Sequence, residues 1–217
     1  MLVSGGLDSC VLVARMAELY PEVYPVYILS GLLWEPVEIH WIERFFNQIE
    51  SGAILPLKQI ALPIQDIYDG HWSTTGNEIP DYRSDDLEVY LPGRNLLLLS
   101  KTAVFCALNQ ISTVAMGLLK GNPFSDSSPN FLKRFSENAQ MALGTPLEIL
   151  TPFSNYSKPD VIALGSHLPL HLSFSCIHPI GVLHCGACNK CAERRRSFKI
   201  AMVEDMTEYS AAPPLDG

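Results

Sequence analysis

The sequence predicts an α/β fold, in which a parallel five-stranded sheet carries helices on both faces and a small helical, metal-binding subdomain follows at the C-terminus. Two observations lead to this prediction: β-rich runs alternate with runs of helical periodicity, and four of the six cysteines cluster near the C-terminus. Alternating strands and helices are typical of a parallel sheet with helical crossover connections. We expect a main domain over residues 1–168, a cysteine-containing subdomain over 169–206 and a flexible tail over 207–217.

Each element is predicted from its local pattern. The first strand is expected to end at Leu2 and Val3 and to be shortened by the start of the chain. Further β-rich runs predict strands over 23–29, 54–62, 113–118 and 147–150. Apolar residues at helical spacing predict helices over 9–19, 36–49, 94–108, 129–143 and 158–168. The polar stretch 66–89, interrupted by glycine and proline, is expected to be a long loop or lid.

The composition indicates a folded cytoplasmic protein. Hydrophobic residues make up 47% of the chain, yet no apolar run approaches the roughly 20 residues that span a bilayer. The N-terminus shows no secretory signal pattern, so we expect a cytoplasmic location. The net charge of -8 argues against a large nucleic-acid surface. The basic cluster at Arg194, Arg195, Arg196 and Lys199 fits a solvated helix face or a clamp on acidic residues of the same chain.

The first chemical motif lies between the first strand and the first helix. It consists of Ser4, Gly5, Gly6, Leu7, Asp8 and Ser9. Adjacent glycines permit positive φ and a close approach of ligand, and the start of a helix offers free amide donors. These residues therefore predict an anion site, with phosphate as the usual ligand. Asp8 and Ser9 are also candidate helix caps, and a plain capped turn is the structural alternative.

The second motif consists of four cysteines within sixteen residues: Cys176, Cys185, Cys188 and Cys191. Thiolates at this spacing can wrap one ion, and four of them give Zn²⁺ a closed tetrahedral shell with a structural role. An iron–sulfur cluster and disulfides are the alternatives, and His178 or His184 could replace one sulfur. Cys10 and Cys106 are expected to be buried thiols.

Two further runs complete a family pattern. They are Leu91-Pro92-Gly93-Arg94-Asn95 and Asn155-Tyr156-Ser157-Lys158, each at the start of a predicted helix. The Ser-Gly-Gly-x-Asp-Ser run resembles the PP-loop of N-type ATP pyrophosphatases. Together with Cys-x8-Cys-x2-Cys-x2-Cys, these runs resemble the 7-cyano-7-deazaguanine synthase (QueC/ExsB) family over roughly residues 1–198. The resemblance implies a Rossmann-like fold of the adenine nucleotide alpha hydrolase type.

The same resemblance implies an ATP-dependent carbon–nitrogen ligase. ATP would adenylate the carboxylate of 7-carboxy-7-deazaguanine and release pyrophosphate, and ammonia would displace AMP to give the amide. A second adenylation would give the nitrile used in queuosine-type biosynthesis. The implied partners are ATP with Mg²⁺, a small deazapurine substrate and ammonia, and the implied oligomer is a homodimer.

The roles of individual residues follow from this reaction. The six loop residues would bind the pyrophosphate of ATP, Asp8 would help to hold Mg²⁺, and Arg94 would pair with phosphate oxygens. The structural alternative for Arg94 is an ion pair with Asp85 or Asp86. Lys158 would add a second cation, and its place in a first helical turn, where a cation opposes the helix dipole, favours an anionic partner.

Two segments depart from the family pattern as it is known. In the segment 117–129, Phe124 is expected to stack on a planar base and Asp126 to accept from its N–H edge, with Ser125 as a further substrate-binding residue. A capped loop is the structural alternative. The segment 30–35 also differs, which leaves the substrate and acceptor open. An amide-forming enzyme, a base-to-protein conjugating enzyme, a tRNA thiolation enzyme and a non-enzymatic regulator are the alternatives.

Overall fold

The computed structural model describes residues 1–213, in which helices and strands alternate. In chain order these are α1 (Leu7–Leu19), β1 (Val26–Leu29), α2 (Glu35–Ile49), β2 (Lys58–Ala61), α3 (Trp72–Thr75), α4 (Arg94–Leu108), β3 (Thr113–Ala115), α5 (Pro129–Leu143), β4 (Glu148–Leu150), α6 (Lys158–Leu164) and α7 (Asn189–Ala201). This order confirms the predicted α/β fold. None of the helices described here is long and apolar enough to cross a membrane.

The strands form two parallel pairs, β1 with β2 and β3 with β4. The registers place Val26 opposite Lys58 and Thr113 opposite Glu148. The N-terminal segment lies between the pairs, because the Leu2 amide donates to the Ala115 carbonyl at 3.1 Å and the Val3 amide donates to the Val26 carbonyl at 2.9 Å. The first predicted strand is therefore reduced to a single β-bridge, between Leu2 and Val26. The strand order across the sheet is β2, β1, residues 1–3, β3, β4.

Side chains of the sheet alternate between two cores, as the two-residue period of strands requires. Val3 and Tyr27 belong to the core shared with α1, α2 and α6. Leu2 and Val26 belong to the core shared with α4 and α5. Helices therefore cover both faces of the sheet, and the carboxyl ends of the strands all point to one edge.

The helix boundaries follow local chemistry. In α5 the Ser128 hydroxyl accepts from the Phe131 amide at 3.2 Å, and Gly144 ends the helix at φ +66°. Helix α6 ends at Leu164, earlier than predicted. A Cβ on the next residue, Gly165, would lie 2.5 Å from Val11 Cγ2, so glycine allows α6 to pack closely on α1.

The predicted loop over 66–89 contains α3 and a 3₁₀ turn at Asp86–Val89 and packs into a third core. Tyr68 and Val89 share this core with Phe174 and Cys176 from the C-terminal region. The long loop is thereby joined to the cysteine-containing segment. The division of the chain at residue 168 stays a prediction.

Arg194 in α7 is not on a solvated face, which corrects one interpretation of the basic cluster. Its side chain is 1% exposed and donates to the Leu170 carbonyl at 2.8 Å, Ser173 Oγ at 2.9 Å and Thr207 Oγ1 at 3.0 Å. The guanidinium therefore ties two separate segments, residues 170–173 and the region of Thr207, to α7.

The predicted flexible tail does not begin at residue 207. The Ser210 amide donates to the His184 carbonyl at 2.7 Å, and the Arg195 guanidinium lies 3.8 Å from the Tyr209 ring centre and donates to the Ala211 carbonyl at 3.0 Å. Residues 207–211 are thus anchored beside the cysteines. The remaining part of the predicted tail from residue 214 onward lies outside the described residues.

Candidate active site and cysteine centre

A cavity of about 490 Å³ opens at the carboxyl edge of the sheet. Its walls come from the loop 4–9, the ends of β1 and β3, the first turns of α4 and α6, and the segment around the cysteines. Ligands of open parallel sheets bind at this edge. The cavity therefore brings both sequence motifs to one place.

Gly5 fixes the shape of the loop. Its φ is +72°, and a Cβ there would lie 2.8 Å from Ile42 Cγ1 and 3.1 Å from the Glu38 carbonyl oxygen. The Phe174 amide donates to the Gly5 carbonyl at 2.7 Å. Only glycine combines this backbone conformation with such close packing on α2.

The helix after the loop begins at Leu7, with Gly6 as N-cap and no side-chain cap. Asp8 and Ser9 lie inside the first turn, so the expectation that they cap the helix is wrong. The amides of Leu7, Asp8 and Ser9 donate no hydrogen bond within residues 1–213. Three free donors backed by a helix dipole are an arrangement that suits an anion, and phosphate binding by this loop stays a prediction.

The two serines brace the loop. Ser9 Oγ accepts from the Ser4 amide at 3.2 Å and donates to the Gly6 carbonyl at 3.1 Å, and Ser4 Oγ accepts from the Gly6 amide at 3.3 Å. These contacts hold the glycines in place beside the first turn, whose residues Leu7, Asp8 and Ser9 line the cavity. A direct contact of either hydroxyl with phosphate stays a prediction.

Asp8 is held only on one side. Its Oδ2 lies 3.5 Å from Lys158 Nζ, whereas its buried Oδ1 has no hydrogen-bond partner among the described residues. Burial raises the pKa of Asp8, and the Lys158 ammonium opposes this rise. An unpartnered buried oxygen is costly, so this atom is poised to bind a ligand.

Lys158 connects the loop to α7. Its Nζ lies 2.9 Å from Glu193 Oε1 in addition to its contact with Asp8. Although burial alone would lower the pKa of Lys158, the two carboxylates raise it above its usual value, so the ammonium stays charged. Asp8 and Glu193 are thus the partners of this lysine in the structure, and its contact with phosphate stays a prediction.

Arg94 begins α4 on the cavity wall, and its buried Nε has no hydrogen-bond partner in the described part of the chain. The alternative ion pair with Asp85 or Asp86 is absent among these residues. Asp85 instead accepts from the Leu87 amide, and Asp86 accepts from Asn189 Nδ2. The guanidinium is therefore available to a ligand.

Tyr27 and Glu38 line the same cavity but were not predicted as site residues. The Tyr27 hydroxyl donates to Glu38 Oε2. Burial raises the pKa of Glu38 to about 8, against the opposing charge of Arg94 and the Tyr27 hydrogen bond. The sequence signal was an acid at helical spacing from buried Ile42 and Phe45, on the apolar face of α2.

The segment 117–129 contributes unevenly to the cavity. Phe124 stacks on Tyr90 with ring centres 4.8 Å apart, and both line the cavity, whereas Ser125 does not. The buried Asp126 carboxylate accepts from the Asn95 amide at 2.9 Å and from Asn95 Nδ2 at 3.2 Å. Both oxygens thus already hold α4, and substrate binding by this segment stays a prediction.

The four clustered cysteines are buried and free, and their sulfurs all lie within 4.8 Å of one another. Cys176 and Cys188 sulfurs are 3.8 Å apart, and Cys185 and Cys191 sulfurs are 3.9 Å apart. Amides at residues 178, 185 and 187 donate to sulfur at 3.3 Å. The cluster is therefore suited to bind a metal.

The alternatives to four sulfur ligands are not realised in the described residues. His184 Nε2 accepts from the Ser175 amide at 3.1 Å, and neither His178 nor His184 belongs to the ligand group. No cysteine forms a disulfide there. Cys10 and Cys106 are buried, as expected.

Comparison with known proteins identifies relatives that match most of the chain. The family model described as "Queuosine biosynthesis protein QueC" matches residues 1–202. A 7-cyano-7-deazaguanine synthase of Methanothrix thermoacetophila is 30% identical, with 96% of each chain covered. The protein of the same name from Methanococcus aeolicus is 27% identical, and the match covers 96% of this chain and 97% of that one. The "7-cyano-7-deazaguanine synthase 1" of Mesorhizobium japonicum is 29% identical, and the match covers 98% of this chain and 93% of that one.

A solved structure, that of a predicted subunit of tRNA methyltransferase from Methanocaldococcus jannaschii, matches 76% of this chain and 72% of its own. The TM-score is 0.49 and the sequence identity 14%, which does not by itself establish a shared fold. The family match over residues 1–202 and the relatives are decisive: the chain belongs to the QueC family.

Proposed function

We propose that this protein is an ATP-dependent carbon–nitrogen ligase that converts 7-carboxy-7-deazaguanine to 7-cyano-7-deazaguanine. The observation that carries the proposal is the set of free first-turn amides of α1, whose residues line the cavity together with Arg94 and Lys158. Membership of the QueC family and the names of the relatives support the substrate.

The first step would be adenylation. A carboxylate oxygen of the substrate attacks the α-phosphorus of ATP, and the bond to the β-phosphate bridging oxygen breaks to release pyrophosphate. The amides of Leu7, Asp8 and Ser9 would hold the leaving diphosphate, while Arg94 and Lys158 neutralise its charge. The three amides and the Arg94 Nε have no hydrogen-bond acceptor among the described residues, and Lys158 has only carboxylate partners. These groups are therefore the ones assigned to the diphosphate.

The later steps need no protein nucleophile. Ammonia attacks the acyl carbon and AMP leaves with the carboxylate oxygen, which gives the amide and releases a proton. A second ATP adenylates the amide oxygen, and loss of AMP and a proton gives the nitrile. Alignment of the reactants and charge stabilisation supply the catalysis, because ATP itself activates each oxygen.

Two metals fit the residues present. Asp8, whose buried Oδ1 has no hydrogen-bond partner among the described residues, would help to hold Mg²⁺, which would neutralise phosphate charge. Zn²⁺ fits the cysteines, because tetrahedral bonds of about 2.3 Å place sulfurs about 3.8 Å apart. That value agrees with the closest sulfur pairs. Four sulfur ligands leave no open position, so this zinc would be structural.

The cavity volume is within the range for small-molecule sites. The stacked pair of Phe124 and Tyr90 offers a flat wall to a planar base, and we assign the deazapurine to that side. Ammonia as acceptor, a homodimer and a cytoplasmic location belong to the same proposal.

Product analysis tests this function. The purified protein is incubated with ATP, Mg²⁺, ammonium and 7-carboxy-7-deazaguanine, and pyrophosphate and product mass are followed together. We expect the nitrile mass and two pyrophosphates for each nitrile, and Asp8→Asn should reduce the rate at least about 100-fold. The exposed Lys133→Ala is the matched control and should keep the rate. An amide that accumulates with one pyrophosphate would refute nitrile formation, and no pyrophosphate release would refute the ligase.

A further inference from the structure

The first turn of α7 joins the cysteine cluster to the active-site cavity. Cys188 is the N-cap of this helix and Cys191 lies in its first turn, and both belong to the cluster. Lys190 and Glu193, from the same stretch, line the cavity. Their positions are therefore set by the cysteine centre.

Glu193 holds two lysines at once. Its Oε2 lies 3.0 Å from Lys190 Nζ, and its Oε1 lies 2.9 Å from Lys158 Nζ, which in turn contacts Asp8. Lys190 and Glu193 are three residues apart and therefore share one helix face. The chain of contacts runs from α7 to the first turn of α1.

Charged side chains of both signs line the cavity. Among them, Lys158 contacts the carboxylates of Asp8 and Glu193, and Lys190 contacts Glu193. An ammonium has three N–H donors, and the Glu193 contact uses one of those on Lys190. The buried Arg94 Nε is also unpartnered in the described residues. An anion would complete the hydrogen bonding of both groups.

We propose that Lys190 is a further phosphate-binding residue of this site and that Glu193 is the positioning residue that directs it into the cavity. This inference rests on the proposed function. It adds a cation that the sequence motifs do not contain, and it gives the cysteine centre a role in placing a phosphate ligand.

Binding of inorganic pyrophosphate with Mg²⁺ to the metal-loaded protein tests the inference by calorimetry. Lys190→Ala should weaken binding about tenfold, because one charge-assisted contact is lost. Lys190→Arg should stay within about threefold of the wild type, since it keeps the charge. Lys133→Ala, on the surface of α5, is the matched control. Metal content and melting temperature should be unchanged in all three variants.

The role of Glu193 is tested by a double-mutant cycle. In a Glu193→Ala background, Lys190→Ala should weaken pyrophosphate binding less than about threefold, because the lysine is no longer directed into the cavity. An equal loss in both backgrounds would show that Glu193 does not orient Lys190. A purely structural salt bridge would change the melting temperature without this coupling.

The outcomes separate this inference from the proposed function. Unchanged pyrophosphate binding in Lys190→Ala overturns the inference, even in an active ligase. Loss of metal from Lys190→Ala also overturns it, because the lysine then serves the cysteine centre. The wild type could make no nitrile while Lys190→Ala still weakens pyrophosphate binding as expected. That result would refute the proposed function and support the inference.

Discussion

Glu38 should make the stability of the protein fall as the pH rises, and Glu38→Gln should remove that dependence. The carboxyl is buried beside Tyr27, and burial raises the pKa of Glu38 from its ordinary 4.5 to about 8. Between these values the folded protein keeps a proton that the unfolded chain loses. Stability is therefore full below about pH 4.5 and is lost as the pH rises through 8. Glutamine keeps an oxygen that can accept from the Tyr27 hydroxyl.

The magnitude follows from the two pKa values. Each pH unit in this interval corresponds to 1.36 kcal/mol, so the whole interval amounts to at most about 5 kcal/mol. Between pH 5 and pH 8, the free energy of unfolding of Glu38→Gln should gain about 3 kcal/mol relative to the wild type. Other titrating groups are the same in both proteins and cancel in the difference.

Urea unfolding at several pH values measures this difference. Both proteins must carry the same metal content, and the slope of free energy against urea should be unchanged by the substitution. A difference that stays constant within about 0.5 kcal/mol from pH 5 to pH 8 would show that Glu38 is ionised in the folded protein. The reasoning from burial would then be refuted.

Three further predictions concern the loop, α7 and the cysteines. Gly5→Ala should reduce the rate of pyrophosphate release at least about 100-fold in a product assay, because the new Cβ would clash with Ile42. Gly144→Ala is the control, since Gly144 has a similar φ but open space around it, and this variant should keep the rate. Equal rates would contradict this. Arg194→Met should lower the free energy of unfolding, measured in urea, by roughly 3 kcal/mol, because it leaves buried acceptors unpaired. The exposed Arg196→Met is the control, and an equally small change in both variants would count against this prediction. Cys188→Ser should lower bound zinc, measured by atomic absorption, from one ion per chain, and undiminished zinc would disprove the four-sulfur site.

Local patterns were sufficient for the bounds of two helices, α4 and α5. The bounds of α4 and α5 agree with the predicted 94–108 and 129–143, because glycine, proline and serine mark their ends within the sequence itself. Strand ends are different, since they depend on the partner strand. The predicted strand 54–62 contains only Lys58–Ala61 as β2, because β1 offers four residues to pair with.

The same contrast between local and long-range signals explains which site residues were predicted. Loop and cysteine residues are close in sequence, so their spacing revealed them, and the structure brings both motifs to one cavity. Tyr27 meets Glu38, and Lys158 meets Glu193, only after folding, and no local pattern encodes those contacts. The anchored segment 207–211 depends equally on contacts with distant residues.

A crystal structure with a nonhydrolysable ATP analogue and Mg²⁺ tests the central claim most directly. The distances to be measured join the phosphate oxygens beyond the α-phosphate to the amide nitrogens of Leu7, Asp8 and Ser9. We expect them to be about 2.7–3.2 Å, the range of N–H···O hydrogen bonds. Phosphates bound elsewhere, with these amides facing water, would contradict the account.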